Sequence, residues 1–330
     1  MSKILVTGGA GMIGSNLVKR LVAEGEDVSV IDNLWRGKMT NLLNIEGKPV
    51  IDFETRFHNI DLSIPGAADD YFNDIDYVYH LADVVAGIGY VFGHQREIFR
   101  QNVLINSNVI SAVSKYPPKG YIYVGTACSF PAHLQSGVDA RPLREEDTYP
   151  ASPESAYGWS KLMGEYESLL MEEENGIPTS ILILHNVYGY PCDFSPEKSQ
   201  VIPSLVRKAI DYPASPFVVW GSGSQGRAFV HVDDIIDALM LAKDKGFGRG
   251  TIQIGPDYCT SIREIAEMIV KISGKEIKIQ YDTTKPEGDK GRRADYSKAR
   301  EVLGWEPRKN FGDALAELYH WIEDQLEASK

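Results

Sequence analysis

The sequence predicts an α/β fold, a doubly wound parallel sheet with a smaller substrate domain toward the C-terminus. Three observations carry this expectation. Short apolar runs at residues 4–6, 28–31, 77–82 and 121–125 alternate with stretches of helical periodicity, the pattern of βαβ units. A glycine-rich loop joins the first run to the first helix, and an acid closes the second run. The 330 residues suffice for two lobes, or for one large α/β unit with an appended domain.

The first unit is the most explicit. Ile4-Leu5-Val6 leads into Thr7-Gly8-Gly9-Ala10-Gly11-Met12-Ile13-Gly14, after which Leu17, Leu21 and Val22 recur at helical spacing. Gly8, Gly11 and Gly14 let the backbone approach a pyrophosphate and let the helix lie close on the sheet. The helix N-terminus then offers its unpaired N–H groups to phosphate oxygens. Asp32 can accept from both hydroxyls of a ribose and repels a 2′-phosphate, which favours NAD over NADP. Arg36 works the other way, since a nearby arginine can hold that phosphate. Strand, loop, helix, strand and acid stand in the order of a Rossmann-like dinucleotide site.

Further along, residues 57–60 lead to Asp61, locally a solvated turn acid. The run at 77–82 opens a loop from Asp83 to Gly89 with two glycines, Gly87 and Gly89. Asn102, Asn106 and Asn108 fall in a helical segment, where Asn102 is expected to satisfy backbone groups. The strand at 121–125 ends in Thr126-Ala127-Cys128-Ser129-Phe130-Pro131. Ligands collect beyond the carboxyl ends of strands in an open parallel sheet, so Thr126 and Cys128 are well placed. Thr126 can hydrogen-bond a substrate hydroxyl. Cys128 reads either as a small buried residue or as a proton donor or acceptor. Ala156-Tyr157-Gly158-Trp159-Ser160-Lys161 sets Tyr157 and Lys161 four residues apart, on one helix face. An ammonium there is expected to favour the phenolate, so that Tyr157 takes a proton from a sugar hydroxyl while a hydride leaves the same carbon. The spacing alone is common on amphipathic helices, and the dinucleotide loop supplies its context.

Glycines spaced G-x-x-G-x-x-G, together with Tyr157 and Lys161, resemble the short-chain dehydrogenase/reductase superfamily. The length and later blocks resemble its extended, nucleotide-sugar-modifying branch. Three blocks resemble both the GDP-mannose 3,5-epimerase and GDP-L-fucose synthase families, Ala127-Cys128-Ser129-Phe130-Pro131, Arg144-Glu145-Glu146-Asp147 and Pro153-Glu154-Ser155-Ala156-Tyr157-Gly158, and a fourth, His185-Asn186-Val187-Tyr188-Gly189, resembles the epimerase family. The likeness covers nearly the whole chain. It implies NAD contacts from Gly8, Gly11, Met12, Ile13, Asp32, Asn33, Leu81, Tyr157 and Lys161, with Asp61 beside the adenine. It implies that the loop carrying Gly87 borders the nicotinamide and the hexose, and that Asn186 approaches the diphosphate. Gln225, Arg227 and Arg292 are implied to bind the rest of the nucleotide sugar.

The same resemblance sorts the chemistry. Dehydratases of the branch carry an Asp-Glu pair where this chain has Ala127-Cys128, which argues against a dehydratase. The synthase family's histidine partner to the cysteine aligns with Gln200, which cannot titrate. The epimerase family's lysine partner matches Lys198, whose plainer reading is an exposed loop lysine.

In the C-terminal half, the loop from Gly221 to Phe229 presents Arg227, a guanidinium fork suited to phosphate oxygens. Pro286-Glu287-Gly288 and Arg292-Arg293-Ala294-Asp295 resemble a second phosphate-binding block, with solvated basic residues as the plain alternative. Lys290 and Arg293 depart from the epimerase pattern. Leu303-Gly304-Trp305 reads as a helix end and turn, and Leu315, Leu318, Trp321 and Ile322 as core. The expected division is a cofactor domain at 1–175 with a returning segment near 225–245. The substrate domain is expected from about 176–224 and 246–330.

A net charge of −12 argues against nucleic acid or an anionic membrane as partner, though local arginines can still hold a small anion. No apolar run approaches the roughly 18 residues of a membrane span, and no cleavable leader is read at the N-terminus. Cys128, Cys192 and Cys259 lack metal-type spacing, so no metal site is expected and a cytoplasmic location is. The expectation is an NAD-dependent epimerase of a nucleotide-diphosphate sugar, with a GDP-sugar favoured and a homodimer implied by the resembled family. Transient oxidation at C4 would let Cys128 and Lys198 exchange protons at C3 and C5. One rival is a 4-epimerase of a UDP- or GDP-sugar, in which those two residues are structural. Another is an epimerase/reductase of a GDP-4-keto-6-deoxy-sugar, against which Asp32 and Gln200 speak. A regulatory NAD-binding protein would not need an intact Tyr157–Lys161 pair.

Overall fold

The computed structural model describes residues 1–285 and 288–328. Its strands are β1 (Lys3–Thr7), β2 (Asp27–Ile31), β3 (Phe57–His58), β4 (Tyr77–His80), β5 (Gly120–Thr126), β6 (Thr179–Leu184), β7 (Asn186–Tyr188), β8 (Val218–Trp220), β9 (Gly226–Arg227), β10 (Phe229–His231), β11 (Thr251–Ile254), β12 (Thr260–Ser261), β13 (Gln280–Asp282) and β14 (Gly291–Arg292). The helices that matter below are α1 (Met12–Ala23), α2 (Ile88–Gly93), α3 (Gln95–Lys115), α4 (Ala156–Asn175), α5 (Val201–Asp211), α6 (Val232–Lys245), α7 (Ile262–Ser273), α8 (Ser297–Leu303) and α9 (Phe311–Ala328).

Seven strands form one sheet in the order β11-β6-β5-β4-β1-β2-β3, and every pair is parallel. The chain winds outward in both directions from β1 and β4, so the carboxyl ends of these two strands flank the switch point where ligands bind. Leu17, Val18 and Leu21 of α1 pack on one face with Ile235, Ile236 and Leu239 of α6. Ile98, Ile105 and Val109 of α3 and Met171 of α4 pack on the other. With both faces covered, the central strands read as continuous apolar runs rather than as alternation.

The sheet is wider than the expected cofactor domain. β6 and β11 both lie in ranges assigned to the substrate domain, and the sheet claims them. All six residues of β6 are buried, as an inner strand requires, and β11 covers its far edge. After α4 the chain crosses over and sets β6 parallel beside β5. α8 also packs on this core, with Ala299 and Leu303 buried. The smaller lobe is built instead from α5, α7 and α9 around Tyr188, Phe217, Val219 and Phe229. There Leu315, Leu318 and Ile322 are core as expected, but Trp321 is only half-buried and stacks on Tyr190 at 5.8 Å between ring centroids.

Helix ends are set locally. Ser155 caps α4 by accepting from the Gly158 N–H, and Gly176 closes it at φ 68°. Gly304 closes α8 at φ 74°, and Trp305 donates its indole N–H to the Asp234 carbonyl, which confirms that segment as a structural turn.

Candidate active site

A cavity of about 1190 Å³ runs between the lobes, lined from the β1–α1 loop, the loops after β4 and β5, the start of α4, and α5. Single small-molecule sites are roughly 300–1,000 Å³, so this one has room for two ligands.

The dinucleotide end is built from backbone. Gly8 sits at φ +71°, and a Cβ there would lie 2.9 Å from the Ala82 N. A Cβ on Gly14 would collide with the Gly8 carbonyl. Gly11 begins α1 with no side-chain cap, and the first turn carries no acid. Asp32 accepts from the Ala10 N–H at 2.9 Å and the Leu34 N–H at 2.8 Å. Burial pushes its carboxyl up, and those two donors oppose the shift. Met12, Ile13, Asn33 and Leu81 line the cavity, as does Gly11. Asp61 does not; its carboxylate accepts from the Ser63 N–H at 2.9 Å, between Ile60 and Leu62, which do. Arg36 is engaged elsewhere, donating to the Val85 carbonyl at 3.1 Å and lying 3.7 Å from Asp193. A cradle that a Cβ would fill, an uncapped helix N-terminus and a ribose-side acid fit NAD.

Tyr157 and Lys161 meet in the first turns of α4, but a third group stands between them. The Tyr157 hydroxyl donates to Asp83 Oδ2 at 3.0 Å, and that same oxygen lies 3.6 Å from Lys161 Nζ. Burial, then the Asp83 carboxylate, push the phenol well above its ordinary value. Burial pushes the Lys161 ammonium down while Asp83 holds it up. The direction for the phenol is therefore opposite to the expected one, first because the ring is buried and then because the Asp83 carboxylate stands beside its hydroxyl.

Thr126 accepts from the Cys128 N–H at 3.2 Å and fixes the turn at the end of β5. Cys128 Sγ accepts from Arg292 Nη1 at 3.1 Å. Arg292, 7% exposed, also pairs with Asp289 and donates to Gln135. Arg227 lines the same wall, where burial and then the positive Arg292 bring its guanidinium down to about 10. Gln225 donates to the Trp220 carbonyl at 3.2 Å and, like Asn186 at the start of β7, lines the cavity. Gly87 donates its N–H to the Lys198 carbonyl at 3.2 Å, and a Cβ on it would collide with the Ser199 carbonyl.

Lys198 is engaged with Trp35. Its ammonium lies 4.5 Å over the Trp35 ring and donates to the Trp35 carbonyl at 3.5 Å, and among the described residues no hydrogen bond joins it to Cys128. Pro286 and Glu287 of the expected phosphate block lie outside the described residues. Sequence reasoning missed Asp83, Trp35, Gln135 and Asp289. Only Asp83 carried a signal, an acid just past the carboxyl end of a central strand. Among the described residues no cluster of three or more His, Cys, Asp or Glu is placed to hold a metal, and no helix is long and apolar enough to cross a membrane.

The profile of the NAD dependent epimerase/dehydratase family matches residues 4–255. The chain belongs to that family. Relatives of this NAD-dependent enzyme include GDP-mannose 3,5-epimerase 1 of Oryza sativa subsp. indica, 30% identical over 99% of this chain and 83% of the relative. GDP-L-fucose synthase 1 of Arabidopsis thaliana is 29% identical over 97% of this chain and 93% of its own length. Among solved structures, UDP-glucose 4-epimerase of Thermotoga maritima with UDP-glucose superposes with a TM-score of 0.85 at 26% identity, covering 98% of this chain and 99% of that one. Thr126, Cys128 and Tyr157 line one cavity, Lys161 reaches Tyr157 through Asp83, and Lys198 rests on Trp35, which lines the same cavity.

Proposed function

We propose that this enzyme epimerises a nucleotide-diphosphate sugar, a GDP-hexose of the mannose series, at C3 and C5 through transient oxidation at C4. The observation that carries the reading is the Arg292–Cys128 contact at the end of β5, in the cavity that Tyr157 also lines. A 4-epimerase needs one proton-transfer group at C4; here a thiol with a guanidinium donor stands beside that group. The 30% identity to GDP-mannose 3,5-epimerase 1, over an alignment covering 99% of the chain, supports the same sugar class.

NAD, when bound, supplies the hydride acceptor at C4 and gives the hydride back. Tyr157 takes the C4 hydroxyl proton and later returns it, oriented by Asp83 and Lys161. The resulting ketone acidifies the hydrogens at C3 and C5. Cys128 and Lys198 remove and return those protons on opposite faces, Lys198 turning from Trp35 on its flexible four-carbon stem. Arg227 and Arg292 are the cations for the diphosphate. The working unit in this reading is a cytoplasmic homodimer. α3 and α4 pack together and leave Phe99, Trp159, Met163 and Tyr166 exposed for a second copy to cover.

The resting place of Lys198 favours one other reading, a 4-epimerase in which Cys128 and Lys198 only pack. NMR of GDP-mannose incubated with the enzyme in heavy water separates the two. Deuterium at C3 or C5, abolished by Cys128→Ala, supports the proposal. An inverted C4 with no solvent deuterium replaces it with the 4-epimerase.

A further inference from the structure

The loop after β4 sets a carboxylate against the helix that carries the base. One oxygen of Asp83 meets both the Tyr157 hydroxyl, at 3.0 Å, and the Lys161 ammonium, at 3.6 Å, and the side chain is 14% exposed. Its backbone is clamped. Asn102 accepts from the Val84 N–H at 2.7 Å and donates to the Val84 carbonyl at 3.2 Å. Asn102 also donates to Ser160 Oγ at 3.3 Å, and that hydroxyl donates to the Tyr157 carbonyl at 2.8 Å. Loop and helix are thus tied together beside the carboxylate. Lys161 is confined as well: its ammonium lies 4.6 Å over the Tyr123 ring, and the Tyr123 hydroxyl donates to the Lys161 carbonyl at 3.0 Å.

We propose that Asp83 is a positioning residue of the base, holding the Tyr157 hydroxyl as a donor and engaging the Lys161 charge so that the resting enzyme keeps a neutral phenol. The inference rests on the reading of Tyr157 as the base. An ionised phenol would place a second anion against Asp83, and a like charge at that range disfavours ionisation. The groups facing Tyr157 are Asp83 from the β4 loop, Cys128 from the end of β5 and Tyr123 on β5, while Lys161, one turn along α4, meets Asp83. Of these, Asp83 alone hydrogen-bonds the hydroxyl among the described residues. Asp83 therefore fixes the pH at which the base becomes available.

The test is the ionisation of Tyr157, read by NMR on protein labelled at tyrosine Cζ, with the signal assigned by its loss in Tyr157→Phe. Asp83→Asn and Asp83→Ala should titrate at least one unit below the unchanged protein, within the roughly 1–3 units that one nearby charge moves a group. Asp83→Glu, which keeps the charge, should hold the original midpoint. If the Tyr157 midpoint in both neutral variants is no lower than in the unchanged protein, with the titration followed to the alkaline limit of the fold, the proposal falls. With an active sugar, the acidic limb of kcat/KM should move down by the same amount, and an unmoved limb also overturns it. The NMR readout needs no sugar. A shift in a protein inert toward nucleotide sugars would therefore overturn the proposed function and leave the Asp83 assignment standing.

Discussion

Arg292 donates to the sulfur of Cys128 at 3.1 Å while its other nitrogens engage Asp289 and Gln135. The thiol at the end of β5 is thus held by a side chain from β14, 164 residues further along the chain. The arrangement ties the Cys128 thiol to an ion pair whose carboxylate is 3% exposed.

Removing the guanidinium leaves that buried carboxylate alone. Arg292→Ala should lose about 3–5 kcal/mol of stability, because an unpaired buried charge is expensive. Replacing both partners, in Asp289→Asn/Arg292→Ala, should cost less than the single change. Urea unfolding of the three proteins measures both values.

Lys198 and Cys128 have separable roles in the proposed cycle. Lys198→Ala should slow deuterium entry at C3 and C5 by about 100-fold or more, the usual reach of a general acid or base, while hydride removal from C4 persists. Transient NADH absorbance and NMR on the same sample report the two steps.

Asp32 accepts two backbone N–H groups and faces the expected ribose. Asp32→Ala should weaken NAD at least tenfold, since hydrogen bonds to a charged group contribute about 1.5–3 kcal/mol each. Calorimetric titration of cofactor-free protein with NAD, and in parallel with NADP, checks this and shows whether discrimination falls too.

Glu165, one turn beyond Lys161 on α4, is buried with one carboxylate oxygen unpartnered. Burial pushes its carboxyl from 4.5 up to about 7. Between those values the folded chain holds a proton that the unfolded chain has released. Stability on this account is full below about pH 4.5 and falls as pH rises toward 7, by about 3 kcal/mol in all. Glu165→Gln should flatten that decline and melt higher than the unchanged protein at pH 8, as thermal unfolding at pH 5 and 8 will show.

What was legible follows from locality. Gly8, Gly11, Gly14 and Asp32 lie within one βαβ unit, so their spacing alone encodes the cradle. Tyr157 and Lys161 share a helix turn, and that too is written in spacing. Asp83 was not legible as their partner, because the contact joins positions 74 residues apart and depends on how Asn102 holds the loop. Arg36 stood in sequence as the one counterweight to the NAD reading of Asp32, yet Val85 and Asp193, from two distant loops, occupy it. The domain boundaries drifted for a related reason. A buried run such as β6 is equally at home in either lobe until a neighbouring strand claims it. Trp321 has helical spacing identical to that of its core neighbours, and only the cleft decides that it faces an opening.

The direction of β1 bears on how the protein should be handled. That strand runs from Lys3 toward the cavity, so the first residues emerge on the face opposite the ligand site. The last helix does the reverse, bringing Trp321 and Gln325 to the wall of the cleft. An affinity handle or fluorophore belongs at the N-terminus. Fused behind α9, the same appendage would start within a turn of the cleft wall at Gln325, and assays on such a fusion would report the tag's presence there together with the enzyme's rate.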